Sequence, residues 1–134
     1  MHLMKRELVR DEGLRLAPYR CTAGRLTIGV GRNLDDMGIT AEEADYLLEN
    51  DIGRAMADLD RALPWWRGLS EARQRALANM CFNLGVARLM RFEGMLADLE
   101  AGDNEGAARE AMDSAWARQV GPRARRIAAM LAEG

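Results

Sequence analysis

The sequence is poor in the residues that build metal sites and disulfide frameworks. Its 134 residues include one histidine, His2, and two cysteines, Cys21 and Cys81, which lie far apart along the chain. No Cys-x-x-Cys pair or histidine cluster accompanies them, so nothing here indicates a zinc site or a disulfide scaffold. We therefore expect neither a metal nor a cofactor. A chain of this length also buries enough surface to fold without covalent staples.

Long apolar runs are missing as well. The N-terminal stretch MHLMKRELVR is too short and too charged for a signal peptide, and no run is long enough to span a bilayer. The formal net charge of -2 gives no overall basic footprint for nucleic acid. These absences predict a protein kept in a cytoplasm, with no stable membrane insertion and no nucleic-acid partner.

Aromatic residues account for only 5% of the chain, whereas hydrophobic residues account for 49%. The apolar content is mainly Ala, Leu and Met, which favours helix over sheet. A strand pattern occurs in PYRCTAGRLTIGVG, where it predicts a hairpin with strands at 19–21 and 25–30, after an interruption at Pro18. A helix over residues 3–12 precedes the hairpin, and Gly13 lies just past its end.

A long amphipathic helix is predicted at about residues 40–63, after a loop. Thr40 and Glu43 form a capping box at its start, and Pro64 ends the run. Its apolar face comprises Ala44, Leu47, Leu48, Ile52, Met56, Leu59 and Leu63. A helix of this length is about as long as a small domain is wide, so it is a candidate for a spine between two lobes.

The rest of the chain predicts a bundle of shorter helices. The first is capped by Ser70, and its apolar face should form the core of this part of the protein. Three more are expected near residues 91–101, 104–115 and 122–132, the last of which has a proline in its first turn.

These patterns together predict an α+β fold in a single domain over residues 1–134. The small lobe, which holds the strands, would span about residues 13–39. The helical lobe would combine residues 1–12 with 64–134. A cleft between two such lobes is the default place for a site.

Glu12 is the first candidate for chemistry. It ends the predicted first helix, where the negative end of the helix dipole disfavours a charged carboxylate. A glutamate that stays protonated is what a general acid requires. Cys21 and Thr27 follow it in the hairpin, which gives the spacing Glu-x8-Cys-x5-Thr.

This spacing, within DEGLRLAPYRCTAGRLTIGVGR, resembles the active-site segment of the phage-type lysozymes (endolysins), whose pattern is Glu-x8-(Asp or Cys)-x5-Thr. GITAEEADYLLENDIGRAMADL resembles the interlobe helix of that family, ALANMCFNLG its core helix and SAWARQVGPRARR its C-terminal segment. The resemblance implies a lysozyme-like bilobal fold. The small lobe would be reduced, since the loop between Arg32 and Ile39 is shorter than in T-even phage lysozyme.

The resemblance implies three catalytic residues. Glu12 matches the general acid that protonates the oxygen of the scissile bond, and Thr27 matches the threonine that helps to position the attacking water. Cys21 stands where other members carry a second acid. A thiol supplies the anion that glycosidases use there only if its pKa falls well below about 8.5.

The role of Cys21 stays open among three possibilities: an anionic stabiliser or base, a nucleophile, and an oxidation-sensitive switch. Nearby arginines, namely Arg20, Arg25 or Arg123, are candidates for lowering the pKa of its thiol. Cys81 lies on the apolar face of a helix, so we interpret it as a core residue rather than as a disulfide partner. Trp116 and the other tryptophans are likewise interpreted as packing residues.

A substrate-binding set and a supporting pair also follow from the resemblance. The set comprises Phe82, Asn83, Gln119 and Arg123. Asn83 would donate to sugar hydroxyl or acetamido groups, and Arg123 matches an arginine that pairs with the catalytic glutamate. Arg32 and Asp51 match a pair that would tie the end of the hairpin to the long helix.

The function implied by the resemblance is that of an endolysin. It would hydrolyse the β-1,4 bond between N-acetylmuramic acid and N-acetylglucosamine in bacterial peptidoglycan, and so lyse the host cell. We expect a monomer that accumulates in the host cytoplasm and reaches the periplasmic cell wall through a holin-type protein. Two alternatives stay open: a lytic transglycosylase, and a catalytically weak or inactive peptidoglycan-binding homologue.

Overall fold

A computed structural model describes residues 1–134, and it is mostly helical with one small antiparallel sheet. The chain forms two compact units, Met1–Leu47 and Leu48–Gly134. All the strands lie in the first unit, and the second is helical. The predicted α+β class is therefore confirmed, whereas the assignment of residues 1–12 to the helical lobe stays a prediction.

The first unit begins with helix α1, His2–Glu12, which ends at Gly13 as predicted. The N–H of Gly13 donates to the carbonyl oxygen of Val9 at 2.8 Å. Gly13 has a φ of 81°, a left-handed conformation that glycine adopts without steric cost. This glycine therefore ends the helix directly after Glu12.

A three-stranded antiparallel sheet follows α1. The strands are β1, Arg15–Arg20, β2, Leu26–Gly29, and β3, Arg32–Asn33, in the order β1-β2-β3. Thr27 in the central strand pairs with Tyr19 on one side and with Asn33 on the other. Its main chain is therefore held from both sides.

Strand β1 is longer than the sequence predicts. It begins at Arg15 and continues through Pro18, where an interruption is expected. Because β1 is an edge strand, a residue without an N–H is tolerated there. The register shifts between Arg15 and Tyr19, the stretch that contains the proline.

The segment after β2 is predicted as a loop but contains β3 and the short helix α2, Leu34–Met37. The side chain of Asn33 caps α2 by accepting from the N–H of Asp36 at 3.1 Å. Asp35 Oδ2 accepts from the N–H of Leu26 at 2.7 Å, which ties α2 to β2. A helix of one turn carries no periodicity, so the sequence pattern does not reveal it.

Helix α3, Ala41–Ala62, begins with the predicted capping box. The N–H of Thr40 donates to Glu43 Oε1 at 2.9 Å, and the N–H of Glu43 donates to Thr40 Oγ1 at 3.0 Å. The guanidinium of Arg32 donates to both carboxylate oxygens of Glu43, at 3.0 and 2.7 Å. The hydrogen bond from Arg32 is the largest cause that lowers the pKa of Glu43 to about 2.

The apolar face of α3 is buried only towards its C-terminal end. Ala55 and Leu59 are buried, whereas Leu48 and Ile52 are exposed. Periodicity shows which residues share a face of a helix, but it does not show how much of that face a neighbour covers.

Besides the part of α3 from Leu48 onwards, the second unit contains a 3₁₀ turn and six helices. They are Trp66–Gly68, α4 (Glu71–Leu84), α5 (Val86–Leu89), α6 (Glu93–Ala101), α7 (Asn104–Met112), α8 (Ala115–Val120) and α9 (Pro122–Glu133). Ser70 caps α4 by accepting from the N–H of Arg73 at 3.2 Å, and Pro122 occupies the first turn of α9. Both were predicted from the sequence, whereas α5 and α8 were not.

One core fills the second unit. Its fully buried large side chains are Leu59, Trp66, Leu77, Met80, Leu89, Met95, Leu99, Ile127 and Leu131. Cys81 and Trp116 are buried with them, which confirms their interpretation as core residues. Both cysteines are free thiols. None of the helices is both long and apolar enough to cross a membrane.

Replacing Glu43 by Gln should lower the free energy of unfolding at neutral pH, because the ion pair with Arg32 is lost. The Gln amide oxygen can still accept from the N–H of Thr40. A lowered pKa contributes stability above the unfolded-state value of about 4.3, and this contribution disappears as the pH falls towards about 2. Urea unfolding at several pH values should show the wild type and the variant converging over that window.

The matched control is Glu42→Gln. Glu42 lies in the same first turn of α3, so it feels the same helix dipole, but it has no arginine partner. Its substitution should have a small effect that changes little with pH. An equal effect of both substitutions at every pH would contradict the assigned role of the Arg32–Glu43 pair.

Candidate active site

The three predicted catalytic residues lie in the first unit. Glu12 is the last residue of α1, Cys21 directly follows β1, and Thr27 lies in β2. Glu12 is exposed, Cys21 is half-buried and Thr27 is only 3% exposed. One small unit therefore carries an accessible carboxyl group, a thiol and a buried hydroxyl.

The carboxyl group of Glu12 lies against the turn that joins β2 to β3. A Cβ atom built on Gly31 would stand 2.8 Å from Glu12 Oε2 and 3.2 Å from Glu12 Cδ. The end of helix α1 and the β2–β3 turn are thus in direct contact at the candidate acid.

The side chain of Thr27 is fixed from within the hairpin. Its hydroxyl donates to the carbonyl oxygen of Arg25 at 2.8 Å. Because the hydroxyl has a single proton, its oxygen lone pairs remain able to accept a hydrogen bond. A water molecule is one donor that such an oxygen can hold.

Cys21 lies at the start of a tight turn. Its N–H donates to the carbonyl oxygen of Arg25 at 3.0 Å, and the N–H of Gly24 donates to its carbonyl oxygen at 2.8 Å. Main-chain hydrogen bonds lower the pKa of the Cys21 thiol; the one at Arg25 has the largest effect, and the one at Ala23 has the next largest. Slight burial opposes this shift, and a hydrogen bond from the Thr27 side chain adds to it. The turn therefore favours the thiolate.

Arginine charge is not what lowers the pKa of this thiol. Arg20 Nη1 lies 4.0 Å from Asp35 Oδ2 and donates to the carbonyl oxygen of Gly24 at 3.1 Å. Arg25 lies 3.7 Å from Asp36. Both hairpin arginines thus lie near acidic residues of α2. The pKa of Cys21 is lowered by main-chain hydrogen bonds and not, as expected, by the charge of these arginines.

The predicted substrate-binding residues lie in the second unit. Phe82 is 46% exposed and Gln119 is exposed. Asn83 Oδ1 accepts from the indole N–H of Trp116 at 2.8 Å, which leaves the amide NH₂ group of Asn83 available. Arg123 Nε donates to Asn79 Oδ1 at 2.9 Å.

Phe82 and Arg123 share an apolar groove in the second unit. The groove has a volume of about 380 Å³, and its other lining residues are Leu48, Ile52, Ala55, Arg75, Ala78 and Asn79. Apolar surface with a few polar groups at its edge is typical of ligand-binding grooves. The sequence reveals neither Asn79 as the partner of Arg123 nor this groove, since both depend on how α3, α4 and α9 pack.

The predicted supporting residues have other partners in the structure. Arg32 forms its ion pair with Glu43, and Asp51 forms one with Arg54, three residues along α3. The hairpin is therefore tied to α3 at its first turn, through the same glutamate that completes the capping box. The capping box is the signal in the sequence that could have pointed to Glu43.

Comparisons with known proteins agree on one family. The family model described as phage lysozyme matches residues 9–130. An endolysin of Acyrthosiphon pisum secondary endosymbiont phage 1 is 35% identical over 92% of this chain and 86% of its own length. Probable T4-type lysozyme 1 of Dictyostelium discoideum is 27% identical over 98% of this chain and 94% of its own length.

A longer relative is similar over nearly the whole chain. The pre-baseplate central spike protein Gp5 of Enterobacteria phage T4 is 34% identical over 98% of this chain. The match covers only 28% of that protein, so the chain spans less than a third of the spike protein's length.

Replacing Thr27 by Val should raise the pKa of the Cys21 thiol, because hydrogen bonding by the Thr27 side chain is one of the causes that lower this pKa, and Val has no hydroxyl. The pKa would be measured as the midpoint of the alkylation rate against pH in a Cys81→Ala background, so that one thiol reacts. In the parent the midpoint should lie below the ordinary value for a thiol.

The control for this experiment is Thr22→Val, which makes the same chemical change at an exposed position of the neighbouring turn. It should leave the midpoint unchanged. An unchanged midpoint in Thr27→Val would show that the main chain alone sets the pKa of Cys21.

Replacing Asn83 by Ala should lower the free energy of unfolding by about 1–3 kcal/mol, because the N–H of the buried Trp116 loses its acceptor. Urea unfolding would measure this loss. In a Trp116→Phe background there is no indole N–H to lose its acceptor, so Asn83→Ala should lower the free energy of unfolding by a smaller amount. An equal cost in both backgrounds would contradict the assignment.

Proposed function

Because the chain belongs to the phage lysozyme family, we propose that it hydrolyses the β-1,4 bond between N-acetylmuramic acid and N-acetylglucosamine in bacterial peptidoglycan. The observation that carries this proposal is the grouping of Glu12, Cys21 and Thr27 in one unit, with a turn that favours the Cys21 thiolate. An acid and an anion are the two groups that glycoside hydrolysis requires.

Each catalytic residue has a role that its contacts support. Glu12, whose carboxyl group is exposed, donates a proton to the leaving oxygen. The thiolate of Cys21 stabilises the positive charge that develops on the sugar ring, or attacks the ring carbon. Thr27 accepts a hydrogen bond from the attacking water through the lone pairs that its bond to Arg25 leaves free.

The residues that we propose for glycan binding lie in the second unit. Phe82 presents an exposed aromatic face, and Asn83 presents an NH₂ donor whose amide is oriented by Trp116. Gln119 and Arg123 add polar contacts. No metal or cofactor takes part in the proposed reaction.

The proposed biological role is that of an endolysin acting as a monomer. The enzyme would accumulate in the host cytoplasm, reach the cell wall through a holin-type protein and lyse the host. Its similarity to an endolysin over most of both chains supports this role.

A second candidate role follows from the similarity to the spike protein Gp5, which extends over 98% of this chain. In that role the same chemistry would open the cell wall from outside, as part of a phage particle. Lysis of bacteria that co-express the chain with a holin would favour the endolysin. A cell wall cleaved in vitro without lysis in vivo would favour the particle component.

Digestion of purified peptidoglycan, followed by mass spectrometry, tests the proposed reaction. We expect fragments that end in reducing N-acetylmuramic acid. Glu12→Gln should slow their release by about 10²–10⁴-fold, because the general acid is lost. The matched control is Glu7→Gln, an exposed position on the same helix that loses the same charge and should keep full activity.

The alternatives give different products. Fragments that end in an anhydro ring would identify a lytic transglycosylase. The absence of fragments from a folded protein kept under reducing conditions would leave a peptidoglycan-binding homologue without significant turnover.

A further inference from the structure

Two glycines, one at the end of β2 and one in the β2–β3 turn, have almost the same φ angle. Gly29 has a φ of 70° and Gly31 a φ of 68°. A residue with a Cβ atom is strained in this left-handed region. Substitution at either position should therefore cost a similar amount of backbone strain.

The surroundings of the two glycines differ sharply. No atom lies within 4 Å of the place where a Cβ on Gly29 would stand. The three atoms nearest to a Cβ on Gly31 would all belong to Glu12: Oε2 at 2.8 Å, Cδ at 3.2 Å and Cβ at 3.3 Å. Only at Gly31 does the missing side chain make room for a functional group.

The crowded atoms belong mainly to the end of a flexible side chain rather than to main chain. A methyl group at position 31 would therefore push the Glu12 carboxyl group into another rotamer instead of unfolding the turn. Glu12 takes part in none of the four ion pairs of the first unit. Packing against the turn is thus the contact within this unit that limits where the carboxyl group can lie.

We propose that Gly31 is a positioning residue for Glu12: its lack of a side chain lets the carboxyl group rest against the β2–β3 turn, in the place from which it donates its proton. This inference rests on the function proposed above. A general acid works only within hydrogen-bond reach of the atom it protonates. A displacement of about 1 Å can cost up to about 10²-fold in rate.

The test compares Gly31→Ala with Gly29→Ala. Both variants carry the backbone strain, so their free energies of unfolding should fall by similar amounts. We expect Gly31→Ala to lower kcat at least about tenfold below that of Gly29→Ala, with KM for peptidoglycan fragments within about twofold. Equal kcat values in the two variants would overturn the proposal.

A second readout does not depend on activity. The side-chain carboxyl carbon of Glu12 can be followed by NMR and identified by its loss in Glu12→Gln. Its signal, and the through-space contacts of the Glu12 side chain with residue 31, should change in Gly31→Ala and stay unchanged in Gly29→Ala. An unchanged Glu12 signal in Gly31→Ala would overturn the proposal, whatever the activity.

The two readouts separate failure of this inference from failure of the proposed function. A wild-type protein without activity would refute the function, and the NMR comparison alone would then decide whether Gly31 seats Glu12. If the alanine variant does not fold, Gly31→Asn and Gly29→Asn repeat the comparison, because asparagine tolerates the left-handed region better.

Discussion

The candidate active site depends on a close contact between a helix end and a turn. Gly13 ends α1 directly after Glu12, and Gly31 leaves the β2–β3 turn open where the Glu12 carboxyl group arrives. A side chain at position 31 would meet that carboxyl group, so the acid and the sheet can share this space only because the turn carries a glycine. The position of Glu12 relative to Thr27 and Cys21 follows from this contact and from the two-sided pairing of β2.

The Cys21 thiolate is favoured by main-chain dipoles rather than by a neighbouring positive charge. The hairpin arginines face the acids of α2, so they are partly neutralised there. The lowered pKa of Cys21 comes chiefly from main-chain hydrogen bonds at Arg25 and Ala23. Such dipoles are fixed by the geometry of the turn. The turn thus lowers the pKa of the Cys21 thiol, an effect that a neighbouring cation has at many reactive cysteines.

The sequence predicted the features that local rules determine. The end of α1 at Gly13 and the capping box at the start of α3 were both confirmed, because a helix end needs only a few neighbouring residues. The spacing of the site residues pointed to the family, which the comparisons confirmed. Helix α2 is too short to carry periodicity. The partner of Arg32 was predicted wrongly, since α3 carries several acidic residues and the choice depends on which one the folded hairpin reaches. The role of Gly31 depends on a contact that no sequence pattern shows.

Two polar side chains other than Glu12, those of Asn83 and Thr27, are oriented in the same way by the protein. Asn83 gives its oxygen to the buried indole of Trp116 and keeps its NH₂ group free, while Thr27 gives its proton to Arg25 and keeps its lone pairs free. In each case one end of the group is bound to the protein, which fixes the direction of the other end. A ligand that meets the free end breaks no bond within the protein and orders little that was mobile. Because lost side-chain freedom is a cost of binding, groups fixed in this way give more of their hydrogen-bond energy to recognition.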